Sequence, residues 1–223
     1  MIGHPNLQFH ITGQDYNDHS KNSFTGTNTG VDIVAGVIGN GLSVNALTDS
    51  VNYGDQAALN FERTSLFSIA FWLKGTIPTA RANIFGKTAA PTPKGWWITN
   101  SGSADGNGMV ELFLISSWGS NWFLARGGQM STNWQHFCFT YSGNSNRSGV
   151  VLYVNGAPIT LDATTPNALS ASITTAAAVV VGTSLTSQAT MSSTIDDIQI
   201  YNCVLPQSGV RRVMMGKHPL FRS

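Results

Sequence analysis

Asp15, Asn17, Asp18 and Ser20 bring four oxygen-bearing side chains together near the start of the chain. Hard cations take such ligands, and the same side chains cap turns through Asx hydrogen bonds. No Gly stands where an EF-hand loop requires one. A second acidic pair, Asp196 and Asp197, lies in the run TIDDIQIYN, Thr194 to Asn202. Read as a strand with period 2, this run puts Asp196 on the side of Ile198 and Ile200, with Asp197 facing the other way. An Asp on an apolar face must be neutralised, paired with a cation or sited at an edge, which makes Asp196 a ligand candidate.

Hydrolytic chemistry finds little to work with. Retaining glycoside hydrolysis needs two carboxylates about 5 Å apart; the only glutamates, Glu62 and Glu111, have no other carboxylate close in sequence. No nucleophile-elbow motif occurs. His136 and Cys138 form an i, i+2 pair on one strand, which packing explains. The protein reads as non-enzymatic.

Trp96, Trp97, Trp118 and Trp122 cluster in the middle third, among loops rich in Gly, Ser and Asn. Indole faces stack on sugar rings and nearby amides bond hydroxyls, so Trp118, Trp122 and Asn121 are candidates for glycan binding. Trp96 and Trp97 are adjacent and must point to opposite faces of a strand, so at least one of them packs in the fold.

These residues require strands to hold them. WQHFCFTYSGNSNRSGVVLYVNGAPI, Trp134 to Ile159, contains two strand patterns, Gln135–Tyr141 and Val150–Val154, followed by Asn155-Gly156. Asn-Gly between apolar runs signals a type I′ hairpin, because both turn positions need positive φ. Further strands are expected at Leu7–Ile11, Val31–Val37, Leu42–Val44, Leu66–Lys74, Ala82–Gly86, Gly95–Asn100, Met109–Ser116, Asn121–Arg126, Val179–Gly182 and Thr194–Asn202. No 3.6-residue period is sustained, and the best helix candidate is a short turn near Ser208–Met215. The expected fold is all-β with little helix: one domain over residues 1–210, then a basic, extended tail over 211–223.

Charged residues make up 10% of the 223 residues, against about 25% in ordinary soluble proteins. Twelve bases and eleven acids give +1, but residues 207–223 hold Arg211, Arg212, Lys217 and Arg222 and no acid. That leaves eight bases against eleven acids, a net −3, in the rest. The basic patch is too small for nucleic-acid binding, and no segment reads as a signal peptide or a membrane span. Cys138 and Cys203 are no disulfide framework, although a single bridge between them is left open.

The order LFSIAFWLKG, IFGK, GWWI, WQHFCFTYSG, GVVLYVNGAPI, VVVG and IDDIQIYNCVLP resembles the laminin G-like, concanavalin A-like jelly-roll family over roughly residues 5 to 210. The resemblance implies a two-sheet antiparallel sandwich. It also implies a structural calcium joining the early acidic loop to the last strand, with Asp18 and Asp196 or Asp197 as ligands. The glucanase branch of the family carries a Glu-x-Asp-x-Glu run, which this sequence lacks.

Two roles follow as expectations. The first is a structural module of a virion, a phage capsid decoration or fibre protein, oligomeric on the particle and docking on capsid or tail subunits through Arg211, Arg212, Lys217, Leu220, Phe221 and Arg222. The absence of an export signal or fused enzyme favours it, with the chain cytoplasmic until release. The alternative is a stand-alone lectin-like protein binding a cell-surface glycan.

Overall fold

The structure, a computed structural model, describes residues 4–162, 169–183, 189 and 191–217. In chain order the first strands are β1 (Leu7–Ile11), β2 (Thr27–Thr29), β3 (Asp32–Ala35), β4 (Asn40–Val44) and β5 (Ser50–Asn52). The central strands are β6 (Phe67–Gly75), β7 (Ala82–Thr88), β8 (Gly95–Asn100), β9 (Met109–Ser117) and β10 (Asn121–Gln129). They are followed by β11 (Gln135–Tyr141), β12 (Val150–Val154), β13 (Ala157–Ile159), β14 (Val179–Gly182) and β15 (Ser193–Tyr201). Helix α1 (Gly102–Gly106) is a single turn and α2 (Gln207–Met214) closes the described chain.

All strand pairs are antiparallel and form two sheets, a jelly-roll β-sandwich. The first runs β13-β12-β11-β6-β15-β4-β3, with β1 also against β15; the second runs β10-β9-β8-β7-β14-β5-β2. Alternating residues fill the space between them: Ile69, Phe71 and Leu73 of β6, Phe137 and Phe139 of β11, and Ile98, Leu112 and Leu114 of the second sheet. Each such buried side chain contributes about 1.5–3 kcal/mol. Trp96 joins this core, whereas Trp97 lies on the outer face of the second sheet. The neighbouring indoles thus diverge as strand alternation requires.

The Asn155-Gly156 turn has φ of 51° and 76°, as a type I′ hairpin needs, and Val154 pairs with Ala157 across it. Asn155 also accepts from the His136 N–H through Oδ1 at 2.9 Å, which ties the hairpin to β11.

One expectation needs correcting, and the bridge left open is absent. The helix near Ser208–Met215 is α2, so Arg211 and Arg212 are helical and not part of an extended tail. Its Val210 and Val213 pack with Leu205 against Leu7, Ala70, Cys138 and Tyr201 on the outer face of the first sheet. Cys138 and Cys203 are both free thiols, so no bridge joins them. Burial pushes the Cys138 thiol pKa up, which keeps it protonated and inert.

Candidate functional site

The acidic pair sits where β15 changes partners. Ser193–Ile195 pair with β4, and Ile198–Tyr201 pair with β1. Between them the register against β6 shifts, so that Asp197 and Ile198 stand where β6 offers Phe71 alone. Asp197 takes up the extra residue with φ of 48°, a left-handed value that Asp tolerates better than most residues. This bulge reverses the expected alternation. Ile195, Ile198 and Ile200 all enter the core, and Asp196, opposite Trp72, faces away from it.

Each carboxylate has its own donors. Asp196 Oδ2 accepts from the Val37 and Ile38 amides at 2.7 and 2.8 Å, which anchors the turn between β3 and β4. Burial raises its pKa to about 6, against the opposing pull of those two amides. Asp197 accepts from His10 Nε2 at 2.7 Å and from Gln199 Nε2 at 2.8 Å. Asp18 accepts from the His10 and Ser20 amides and from Ser20 Oγ, all within 2.8 Å, and from the Phe24 amide at 3.3 Å.

The calcium that the resemblance implies between Asp18 and Asp196 or Asp197 would have to displace donors the fold already places on Asp18 and Asp197. Donors occupy both oxygens of Asp18 and of Asp197 and Oδ2 of Asp196, while Asp196 Oδ1 is buried without a partner, and His10 bonds Asp18 through its amide and Asp197 through its imidazole. Among the described residues no three His, Cys, Asp or Glu side chains gather as a metal site. The acidic pair acts as a clasp: Asp196 fastens the β3–β4 hairpin and Asp197 fastens β1.

The second sheet carries a different surface. Trp97, Phe113, Ile115 and Leu124 form an apolar cluster on its outer face, with Trp122 packed on it. Trp118, in the β9–β10 turn, stacks on Trp122 with centroids 5.2 Å apart and planes 16° from parallel, and sits 5.7 Å from Phe113. Trp118 nevertheless stays 42% exposed. It is an indole held in place from one side and open on the other. Asn121 is committed elsewhere: its Nδ2 donates to Ser170 Oγ and its Oδ1 accepts from the Ser170 amide.

Beside the aromatic cluster lies a polar rung that sequence reasoning missed. Thr99, Glu111 and Arg126 pair across β8, β9 and β10. Glu111 is fully buried and accepts from Thr99 Oγ1 at 2.7 Å and Arg81 Nε at 2.8 Å; Arg126 Nη1 lies 3.8 Å from its other oxygen. The Arg81 guanidinium also sits 5.2 Å from the Phe113 ring. Arg126 Nε in turn donates to Asp162 at 3.2 Å. Alternation along β9 puts Glu111 on the face of Phe113, but the cross-strand partners depend on register, which one strand read alone does not supply. So engaged, Glu111 has no free proton-transfer geometry.

Of the basic docking residues, Arg211 is exposed and its Nε donates to the Gly156 carbonyl at 3.3 Å; Lys217 is exposed just beyond α2. Arg212 is half-buried. Leu220, Phe221 and Arg222 lie outside the described residues. No described helix is long and apolar enough to cross a membrane.

Sheet topology and core define the class as a jelly-roll sandwich. A laminin G-type family model, described as the concanavalin A-like lectin/glucanases superfamily, matches residues 45–211, and the chain belongs to that family. Comparison with curated protein sequences finds no match. Among solved structures, the binding domain of Paraclostridial Mosquitocidal Protein 1 superposes with a TM-score of 0.70 at 18% identity, over 92% of this chain and 51% of that one. The botulinum neurotoxin serotype G binding domain gives 0.72 at 13% identity, over 95% and 51%. Domain 4 of AbnA, a GH43 extracellular arabinanase from Geobacillus stearothermophilus, in complex with arabinotriose, gives 0.66 at 21% identity, over 93% and 98%. These likenesses establish the fold. This chain spans about half the length of the two toxin binding domains.

Proposed function

We propose that the protein is a non-catalytic recognition module that binds glycan at the Trp118 rim of the second sheet. The observation that carries this reading is the exposed indole of Trp118, buttressed by Trp122 and Phe113. An aromatic plane fixed before binding stacks on the C–H face of a sugar at little entropic cost. The glycan-bound AbnA domain, similar over almost its whole length, supports the choice of ligand class. Glu111, clamped by Thr99 and Arg81, supports the absence of hydrolysis. Titration of the wild-type protein with oligosaccharides should change tryptophan fluorescence saturably. Trp118→Ala should abolish the change with the melting temperature little altered; an undiminished response in that variant would rule out the rim.

A second part of the reading concerns display. We propose that the module is a virion component, docked on a neighbouring capsid or tail subunit through the basic α2 end. What supports it is placement: α2 covers the outer face of the first sheet and Trp118 stands on the outer face of the second, so both surfaces can be engaged at once. Arg211→Glu combined with Lys217→Glu should reduce attachment to particles while leaving glycan binding intact, measured by co-sedimentation. Unchanged attachment would remove the docking role from this end.

A further inference from the structure

The outer face of the second sheet holds a second concavity, away from Trp118. A cleft of about 700 Å³ opens over β7, β14, β5 and β2, with Thr29, Leu47, Ser50, Asn52, Thr88 and Val180 among its lining. That volume is typical of small-molecule sites, as is a mainly apolar wall with a few polar groups. Strand register explains the position. Asn52, Val180 and Gly86 pair across β5, β14 and β7, and Gly86 pairs in turn with Trp97 of β8. At Gly86 the rung has no side chain, and a Cβ there would lie 3.2 Å from Trp97 Cδ1. The indole at the end of the aromatic cluster therefore leans toward the strand that borders the cleft.

The chemistry of the lining is selective. None of the described lining residues is charged, so an anionic ligand would lose hydration with no cation to offset it. Thr29, Ser50, Asn52, Thr88 and Thr183 supply hydroxyl and amide groups that both donate and accept. Leu47, Val180 and the alanines supply apolar contact between them. Thr88 Oγ1 is itself buried, whereas Asn52 is exposed and Ser50 half-buried, so these two are the polar side chains a ligand hydroxyl would meet.

We propose that this cleft is a second binding site, for a neutral, hydroxyl-rich ligand of the kind an uncharged oligosaccharide presents. It rests on the glycan-recognition reading and extends it to a separate surface with a stated charge preference. Strands lie about 4.8 Å apart, so the β9–β10 turn bearing Trp118 and the β7 wall of the cleft are separated by roughly 10–15 Å. The two sites are close enough to act on one glycan-coated surface.

The test is a ¹H–¹⁵N NMR titration of the full chain with arabinotriose and maltotriose as neutral probes and 3′-sialyllactose as an anionic one. Saturable shifts with a neutral probe are expected at the amides of Ser50, Asn52, Thr88 and Val180, and they should persist in Trp118→Ala. Ser50→Ala should weaken them about fivefold, as the loss of one hydrogen bond implies, with the rest of the spectrum confirming the fold; Asn52→Ala provides an independent variant. Neutral-probe shifts confined to Trp118 and Trp122 would overturn the cleft and leave the rim standing. Equal or stronger cleft shifts with 3′-sialyllactose would overturn the charge preference. No shift anywhere with any probe would overturn the cleft and count against the rim as well.

Discussion

Asp197 combines a left-handed backbone with two side-chain acceptor bonds, so it should be the most sensitive member of the acidic pair. Asp197→Ala leaves the His10 and Gln199 donors without their acceptor and puts an alanine at positive φ. A loss of about 2–4 kcal/mol in urea denaturation is expected. Asp197→Asn keeps an acceptor and the tolerance for this φ, and should lose less than half as much. His136 offers a pH-dependent counterpart. Both of its ring nitrogens are buried without partners, and burial lowers its pKa from 6.5 to about 4, partly opposed by the Asp197 charge. Its proton is bound more tightly in the unfolded chain. The corresponding stability is therefore complete above pH 6.5 and is lost as pH falls toward 4. Relative to His136→Phe, the wild type should lose on the order of 3 kcal/mol between pH 7 and pH 4. Parallel pH profiles for the two proteins would show that His136 is not the group responsible.

Among the elements, the hairpin and the bulge differ in how visible they are from sequence. Asn155-Gly156 declares itself because positive φ at two adjacent positions selects those residue types. Gly156→Ala should cost about 1–2 kcal/mol, and more where the new Cβ, 3.0 Å from Arg211 Cγ, cannot be accommodated; thermal denaturation measures it. Strands such as β1, β8, β11 and β12 stand at the limits their apolar patterns imply. The short strands β2, TNT, at the sheet edge, and β5, SVN, between β14 and β2, carry no such pattern, because pairing with their neighbours makes them strands. The bulge at Asp197 is hidden for a related reason. Period 2 assumes one residue per rung, and the extra residue appears only when β4 and β1 are seen to share β15. The two tryptophans of the rim were legible as types, whereas Phe113, Arg81 and Glu111 join them only through register. The residue-level candidates Asp18 and Asp196 were chosen for being acidic, and the fold uses that acidity to bind its own amides.

For the whole molecule, the two sheets divide the surface into a face covered by α2 and a face that carries the two sites proposed for glycan. The first sheet's outer face is closed by α2 and by the clasp of Asp196 and Asp197; the second's carries the aromatic rim and the uncharged cleft. Because the carboxylate oxygens of Asp18, Asp196 and Asp197, Asp196 Oδ1 apart, are bonded to the chain's own donors, stability should not depend on calcium. EDTA and added calcium should each leave the melting temperature within about 1 °C, since an ion bound only by the folded state would raise it; a fall of several degrees in chelator would place an ion in the fold after all. The central claim, glycan recognition by a module that does no chemistry on its ligand, is tested most directly by a glycan array probed with wild-type protein and Trp118→Ala side by side. Saturable retention of a subset of glycans by the wild type, lost in the variant, is the predicted result. Equal signals from the two proteins, or none from the wild type at any glycan, would contradict it.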